Sequence, residues 1–399
     1  MNAPKDPTKR YKPLPPRAQR WSASFPEGCS HFYMAIYGVQ MAAPEWTPPA
    51  TAPATPDAAE TARRAAMSDE ERQLEDKWRS VVATNDARNA RLLASDAYDA
   101  EKLASSPIFN WVDLACTSRF SPGAYDHSRY FDEAGFITHV FVCYWTNRER
   151  FEAFRESRAY VDFWEGKDRT GGDFGYFREE MTIPLERQET VYFWDYIVGI
   201  GRCESTKLVK TFDTGYYGSM RDRIPAARID GIDEPLREPV LHASSGARIQ
   251  VHPDEYVTMI RSGQFWKRTK GEQRAHYFDQ LQPAVNGGMN YIRDNPVETG
   301  CCSVRYMQNC DVNGKMLEEG TGLAMFKTIS YMESWAKGHA SHEKIYTIAK
   351  QQLMKKDFVR ELRTYHEVAV LPDYGQFFEY CNCHPMTGLL PWFEVTVKA

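Results

Sequence analysis

Tyr365-His-Glu-Val-Ala-Val-Leu-Pro372 is the stretch that decides the fold, because the chain carries a counterpart to it. Sliding the sequence by 188 residues lays Phe177-Arg178-Glu179 on Tyr365-His366-Glu367 and Pro184 on Pro372. The surroundings repeat as well. Gly135-Phe-Ile-Thr-His-Val-Phe-Val-Cys-Tyr-Trp145 reads as a strand, being rich in β-branched and aromatic residues. Asn147 is a good cap for a following helix that buries Phe151 and Phe154. A Gly-rich loop, 166–175, leads to a strand over Tyr176–Pro184, and Glu189-Thr-Val-Tyr-Phe-Trp194 supplies another. In the second half Gly322–Lys327 is a strand, a helix runs through Met332 and Trp335, and strands follow over Tyr365–Pro372 and Phe377–Tyr380. Strand–helix–strand–strand, written twice, predicts an α+β fold of two ferredoxin-like halves, with antiparallel sheets backed by helices.

Outward from these halves, His31–Gln40 reads as a buried first strand, and Asn313-Gly314 marks a turn after the strand Cys302–Met307. Ile260-Arg-Ser-Gly-Gln264 closes an amphipathic stretch that begins near Glu255. The expected organisation is a basic, Pro-rich arm over 1–25, a first half over 26–215 and a second over 216–399. The first half carries an insertion at 41–105. Prolines 44, 48, 49, 53 and 56 exclude a helix or central strand from the start of that insertion. Ser68-Asp-Glu-Glu71 then makes a capping box for a charged helix running toward Asn89, with another helix over 93–105.

Composition narrows the function. The 399 residues are 42% hydrophobic and 26% charged, with a net charge of −5, so no broad basic surface points to nucleic acid. No run approaches the roughly 20 apolar residues that span a bilayer. The basic arm has no apolar core and is not a secretory signal. Nine cysteines show no disulfide framework, which points to reduced thiols and a cytoplasmic protein. Cys381-Asn-Cys383-His384 lacks the C-x-x-C-H spacing of covalent haem attachment, and it lacks the second ligand pair of a zinc site. No G-x-G-x-x-G lies between a strand and a helix, and no P-loop, H-E-x-x-H or G-x-S-x-G motif is present.

Three of the ten histidines fall within 28 residues: His339, His342 and His366. The first two lie in Trp335-Ala-Lys-Gly-His-Ala-Ser-His342, read as helix, and the third lies on a strand. A helix histidine facing a strand histidine suits a metal-centred cofactor with an axial ligand on one side and an acid/base group on the other. Either His339 or His342 fits the ligand role; helix-end histidines also simply cap carbonyls. In Tyr216–Pro225 an arginine either decorates a surface turn or points into a pocket to fix an acid or a propionate. Ser262 is either the end of a helix or a donor to a bound hydroxyl. Glu189 is either an exposed strand residue or the carboxylate that orients His366.

Six strings resemble the aldoxime dehydratases: Tyr37-Gly-Val-Gln40, Gly175-Tyr-Phe-Arg-Glu179, Gly218-Ser-Met-Arg-Asp-Arg-Ile-Pro225, Ile260-Arg-Ser-Gly-Gln264, Tyr365-His-Glu-Val368 and Cys383-His-Pro385. The phenylacetaldoxime dehydratase branch is the nearest likeness. The resemblance covers roughly 21–40 and 135–390; residues 41–105 and the region near Lys355-Lys356-Asp357 depart from it. It implies a dimeric α+β barrel fold related to chlorite dismutases and dye-decolourising peroxidases. It implies haem b, used as ferrous iron that binds the substrate nitrogen, and dehydration of a small-molecule aldoxime to a nitrile. Carried over position by position, the axial ligand falls on His342, the distal acid/base on His366, the hydroxyl donor on Ser262, the distal arginine on Arg223 and the coupled carboxylate on Glu189. A homodimer is the assembly it implies. The rival readings are a haem peroxidase or chlorite-dismutase-like enzyme on the same fold, and a non-catalytic haem sensor.

Overall fold

The computed structural model describes residues 19–41 and 120–398, apart from 133, 213–215, 231–234, 255, 312–313 and 354–358, together with the single positions 65, 72, 108, 111 and 112. The capping box at Ser68, the helix expected over 93–105, Asn313 and the Lys355–Asp357 region lie outside the described residues.

The strands in chain order are β1 (Arg20–Ser24), β2 (His31–Met41), β3 (Ala124–Phe131), β4 (Ile137–Trp145), β5 (Phe174–Pro184), β6 (Gln188–Val191) and β7 (Lys207–Thr211). The second half supplies β8 (Arg248–His252), β9 (Thr258–Phe265), β10 (Cys301–Cys310), β11 (Met316–Phe326), β12 (Arg363–Val370), β13 (Gln376–Cys381) and β14 (Glu394–Lys398). Helices α1 (Arg148–Arg155) and α2 (Arg158–Trp164) join β4 to β5. Helices α3 (Gly271–His276), α4 (Gln282–Asp294) and α5 (Pro296–Thr299) join β9 to β10, and α6 (Ile329–Gly338) and α7 (Ala340–Leu353) join β11 to β12. Asn147 caps α1 as its chemistry predicts, its Oδ1 accepting from the Arg150 amide at 2.8 Å, with Phe151 and Phe154 buried beneath.

Twelve strands form one antiparallel sheet in the order β14-β8-β13-β5-β2-β4-β3-β10-β11-β9-β12-β6, among the described residues. Its middle holds one arrangement twice. In β5-β2-β4-β3 and again in β12-β9-β11-β10, the fourth strand of a set lies beside the first, then the third, then the second. The short pairing of Gln308–Cys310 with His127–Arg129 joins the two sets. Arg178 pairs with Tyr37 where His366 pairs with Ser262, which is the correspondence the 188-residue offset expects.

The sheet curls until distant strands touch. Arg305 on β10 grips Glu179 on β5 at 2.5 and 2.8 Å, and Tyr144 on β4 donates to Glu367 on β12 at 2.5 Å. The concave face encloses a large apolar cluster that includes Phe177, Met181, Tyr192, Tyr365 and Tyr380. On the convex face each half carries its own helices. Trp111, Phe154, Tyr160, Phe163 and Trp164 pack around Tyr37 over the first half. Two clusters cover the second, and half-buried Met289 of α4 touches both.

Four expectations change. Ile260–Gln264 belongs to strand β9 and not to the end of a helix. The helix expected through His342 is two helices, because His339 leaves helical geometry at φ −90°, ψ 132°. Arg20–Ser24, placed in the basic arm, is strand β1, pairing with β7 and bridging through Trp21 to Tyr192. The strand read over Glu189–Trp194 is shorter, ending at Val191.

Gly38 shows how closely the sheet packs: a Cβ there would lie 1.9 Å from the Phe177 ring. Gly38→Ala is therefore expected to destabilise the protein by about 2 kcal/mol or more, measured as a fall in the thermal midpoint against wild type.

Candidate active site

β9 carries the signature of a covered but open surface. Met259, Arg261, Gly263 and Phe265 are buried against the concave side, whereas Ile260, Ser262 and Gln264 are only half-buried. Alternation puts the second set on the convex face, beneath the helices. Antiparallel register then lines up its neighbours. Ser262 lies opposite His366 on β12 and opposite Gly322 on β11. A Cβ at Gly322 would lie 3.5 Å from the Met289 sulfur and 3.8 Å from Ser262 Oγ, so the missing side chain leaves room between α4 and the serine.

Beyond His366 the next strand is β6, with Val191 opposite the histidine and Glu189 opposite Val368. His366 Nε2 and Glu189 Oε1 are 2.6 Å apart, both residues being buried. Arg223 holds the same carboxylate through two nitrogens, Nε to Oε2 at 2.5 Å and Nη2 to Oε1 at 2.7 Å. Its Nη1 meets the carbonyls of Tyr216 and Ser219 and the Ser219 hydroxyl. Burial alone would raise the Glu189 carboxyl, but Arg223 and then His366 overcome that and hold it at about 2. An ionised carboxylate only accepts hydrogen bonds. The His366 Nε2 therefore donates to Glu189, and Nδ1 is the nitrogen left for a substrate.

The loop before Arg223 is held against α6 by Arg221, whose amide donates to Glu333 at 2.7 Å while its guanidinium reaches the carbonyls of Ala227 and Asp230. That anchoring presents Tyr217. Its ring lies 4.8 Å from the ring of His366 and 5.7 Å from that of His342, centroid to centroid. The two histidines singled out on a helix and a strand thus share one aromatic neighbour. His342 also packs edge-on against Trp335 at 4.8 Å. It is buried, and its Nδ1 has no hydrogen-bond partner of ordinary geometry. Burial pushes its pKa down to about 4, against the opposing pull of the Ala336 backbone, so the imidazole is neutral at physiological pH. A neutral imidazole is the form that ligates a metal.

His339 does other work. Its Nδ1 engages the Ser341 hydroxyl at 2.8 Å and the Ser341 amide at 3.2 Å, its carbonyl accepts from the amides of His342 and Glu343, and its ring stacks on Tyr291 at 4.1 Å. It caps α7 and leaves His342 to the interior. Among the described residues no group of three or more His, Cys, Asp or Glu could hold a metal ion. A buried, neutral histidine packed against Trp335 and Tyr217 would suit an iron whose remaining protein-independent donors come from a macrocycle.

Glu189, Ser262, Arg223 and His366 lie together, with His342 across Tyr217. Arg223 is turned to Glu189, whose carboxylate it holds. Tyr217 carried no expectation, although it directly precedes the Gly218–Pro225 string. The Cys-x-Cys-His run closes a turn, with Cys383 Sγ donating to the Tyr176 carbonyl. The eight cysteines among the described residues are all free, and no described helix is long and apolar enough to cross a membrane.

With Glu189 near 2 in the folded state and 4.5 as its ordinary value, the cluster stabilises the fold fully above pH 4.5 and loses that contribution as pH falls through 2. The stake is on the order of 3 kcal/mol. Glu189→Gln is expected to flatten the stability-against-pH curve across that window, measured by denaturant unfolding.

The chain is similar to known proteins in sequence and in fold. The profile of the haem-containing dehydratase family matches residues 92–389. The chain is 33% identical over 273 residues to an aliphatic aldoxime dehydratase of Pseudomonas chlororaphis, covering 67% of this chain and 76% of that one. It is 29% identical over 284 residues to a phenylacetaldoxime dehydratase of Bacillus sp. strain OxB-1, covering 70% and 80%. A crystal structure of an aldoxime dehydratase in complex with butyraldoxime superposes with a TM-score of 0.71 at 26% identity, covering 96% of this chain and 92% of that one. A covered histidine cleft on the second half of a doubled antiparallel sheet, together with these matches, makes this chain a member of the haem-containing dehydratase family.

Proposed function

We propose that the chain dehydrates aldoximes to nitriles, R–CH=N–OH giving R–C≡N and water, at the His366 cleft. The observation that carries this reading is the His366–Glu189 pair set opposite Ser262, with neutral His342 across Tyr217. His342 is the residue that would hold the haem iron. Ferrous haem held there would supply the electron density that weakens the N–O bond of a bound oxime.

The protein handles the protons. Hydroxide is a poor leaving group, so the oxime oxygen needs a proton as its bond to nitrogen breaks. His366 gives that proton from Nδ1 and departs as the neutral imidazole. The same nitrogen then takes the proton from the aldoxime carbon as the C–N triple bond forms, which restores the imidazolium. Glu189 holds the ring in place and stabilises its charged form. Ser262, one strand away, hydrogen-bonds the leaving hydroxyl and sets its direction. Arg223 acts through Glu189 as a positioning residue. The repeated strand order supports reading 26–215 and 216–399 as two ferredoxin-like halves of a barrel-type sheet, the second of which carries the chemistry.

Paired variants test these roles. His342→Ala is expected to purify without a Soret band. His366→Ala is expected to keep its haem and lose turnover of butyraldoxime and phenylacetaldoxime by roughly 100-fold to 10,000-fold. Haem loss to the same extent in both would reverse the assignment, and full nitrile production by His366→Ala would remove His366 from the chemistry.

A further inference from the structure

Three guanidinium groups converge on one ring at the edge of this cleft. Arg20, Arg363 and Arg360 lie 4.2, 5.0 and 5.4 Å from the centroid of Phe193. Arg363 is balanced, its Nε and Nη2 each 2.9 Å from Asp195. The other two have no carboxylate partner among the described residues. Arg20 Nη1 is buried and makes no hydrogen bond. Arg360 Nη2 reaches only a neutral hydroxyl, Thr364 Oγ1, at 3.2 Å. Burial pushes Arg20 down to about 10 and Arg360 to about 9, and each charge further depresses its neighbours in the cluster. Arg20 and Arg360 are half-buried, and holding two like charges together away from bulk water is unfavourable when no counter-ion stands beside them among the described residues. An anionic group of a bound ligand would balance such a pair.

The position says which anion. Thr364, which orients Arg360, stands two residues before His366 on β12 and so shares its convex face. Arg20 begins β1, whose Trp21 bridges to Tyr192 just past the end of β6. The charges of Arg20 and Arg360 also act on the phenol of Tyr217, the ring packed against both His342 and His366. The cationic pair therefore borders the space that the two histidines define. A flat, largely apolar ligand seated there would present its anionic groups at this edge.

We propose that Arg20 and Arg360 bind the propionate carboxylates of the haem. The proposal rests on the haem reading of the site and adds the residues that fix the macrocycle's orientation. Arg360 lies just ahead of the catalytic strand and Arg20 at the far N-terminal end of the described chain. The cofactor would thus tie β1 to the active site.

The test compares haemin with haemin dimethyl ester, which has no carboxylates, in titrations of the haem-free full-length protein. Wild type is expected to prefer haemin over the diester by about 100-fold, as two charge-assisted hydrogen-bonded pairs imply. Arg20→Gln and Arg360→Gln are each expected to weaken haemin about tenfold, to leave the diester unchanged, and to regain part of the loss as Arg→Lys. Equal affinity of wild type for the two porphyrins would overturn the proposal without requiring any variant to fold. So would variants that weaken both porphyrins alike, which would mark a packing role. Failure of wild type to take up either porphyrin would instead overturn the haem reading beneath it.

Discussion

Everything at the site depends on the register of β12 between β9 and β6. That register sets Ser262 and Val191 on either side of His366 and brings Glu189 within hydrogen-bonding reach. A slip of one residue would turn His366 inward and present Tyr365 or Glu367 to the cleft. The concave face guards against it. Tyr365 hydrogen-bonds Thr321 at 3.0 Å. Glu367 accepts from Tyr144, Tyr192 and the Ile200 amide at 2.5, 2.6 and 2.9 Å. Fully buried Arg261 binds Asp126 at 2.7 Å and lies 3.6 Å from Glu367. Each of these partners would be left buried and unpaired by a slip, a penalty of about 1–3 kcal/mol per group and more for the charged ones. The polar interior of the sheet thus serves the chemistry on its outer face.

The two halves show how one arrangement yields a packed core and a reactive cleft. Where the second half has His366, the first has Arg178, bound to Glu379 and Glu165 and lying over Phe377. Where the second has Ser262, the first has Tyr37, enclosed by Trp111, Tyr160 and Trp164. Small residues at Ser262 and Gly322 leave space beneath α4 that large aromatics fill in the other half. The same backbone order therefore supports two outcomes, and side-chain volume on the convex face chooses between them.

Much of this was legible in the sequence where the signal is local. β2, β4, β5, β11 and β12 announce themselves through β-branched and aromatic runs, and Asn147 through its capping chemistry. β9 was misread because its buried face includes Arg261, a charge that only distant Asp126 and Glu367 make tolerable. No pattern within Ile260–Gln264 reveals those partners. The short strands β8 and β14 carry no clear signal for a related reason, since their pairing is non-local; β3 pairs with the adjacent β4, but its Asp126-His-Ser-Arg129 centre offers no apolar run. The offset of 188 residues was readable and aligned Arg178 with His366, yet it could not say which half was open. The identity of the site residues came from the resemblance, and their chain separation explains why: Glu189 and His366 are 177 positions apart. Tyr217, Arg20 and Arg360 had no signal, since each matters through neighbours that only folding supplies.

The central claim is that substrate meets a reduced haem on the side facing His366, with the proton supplied by the protein. Anaerobic addition of butyraldoxime or phenylacetaldoxime to the dithionite-reduced, haem-loaded protein, followed by absorption spectroscopy, tests it most directly. The account predicts a shift of the ferrous Soret band on mixing that decays as the corresponding nitrile accumulates. A ferrous spectrum indifferent to either aldoxime, with no nitrile formed, would contradict it.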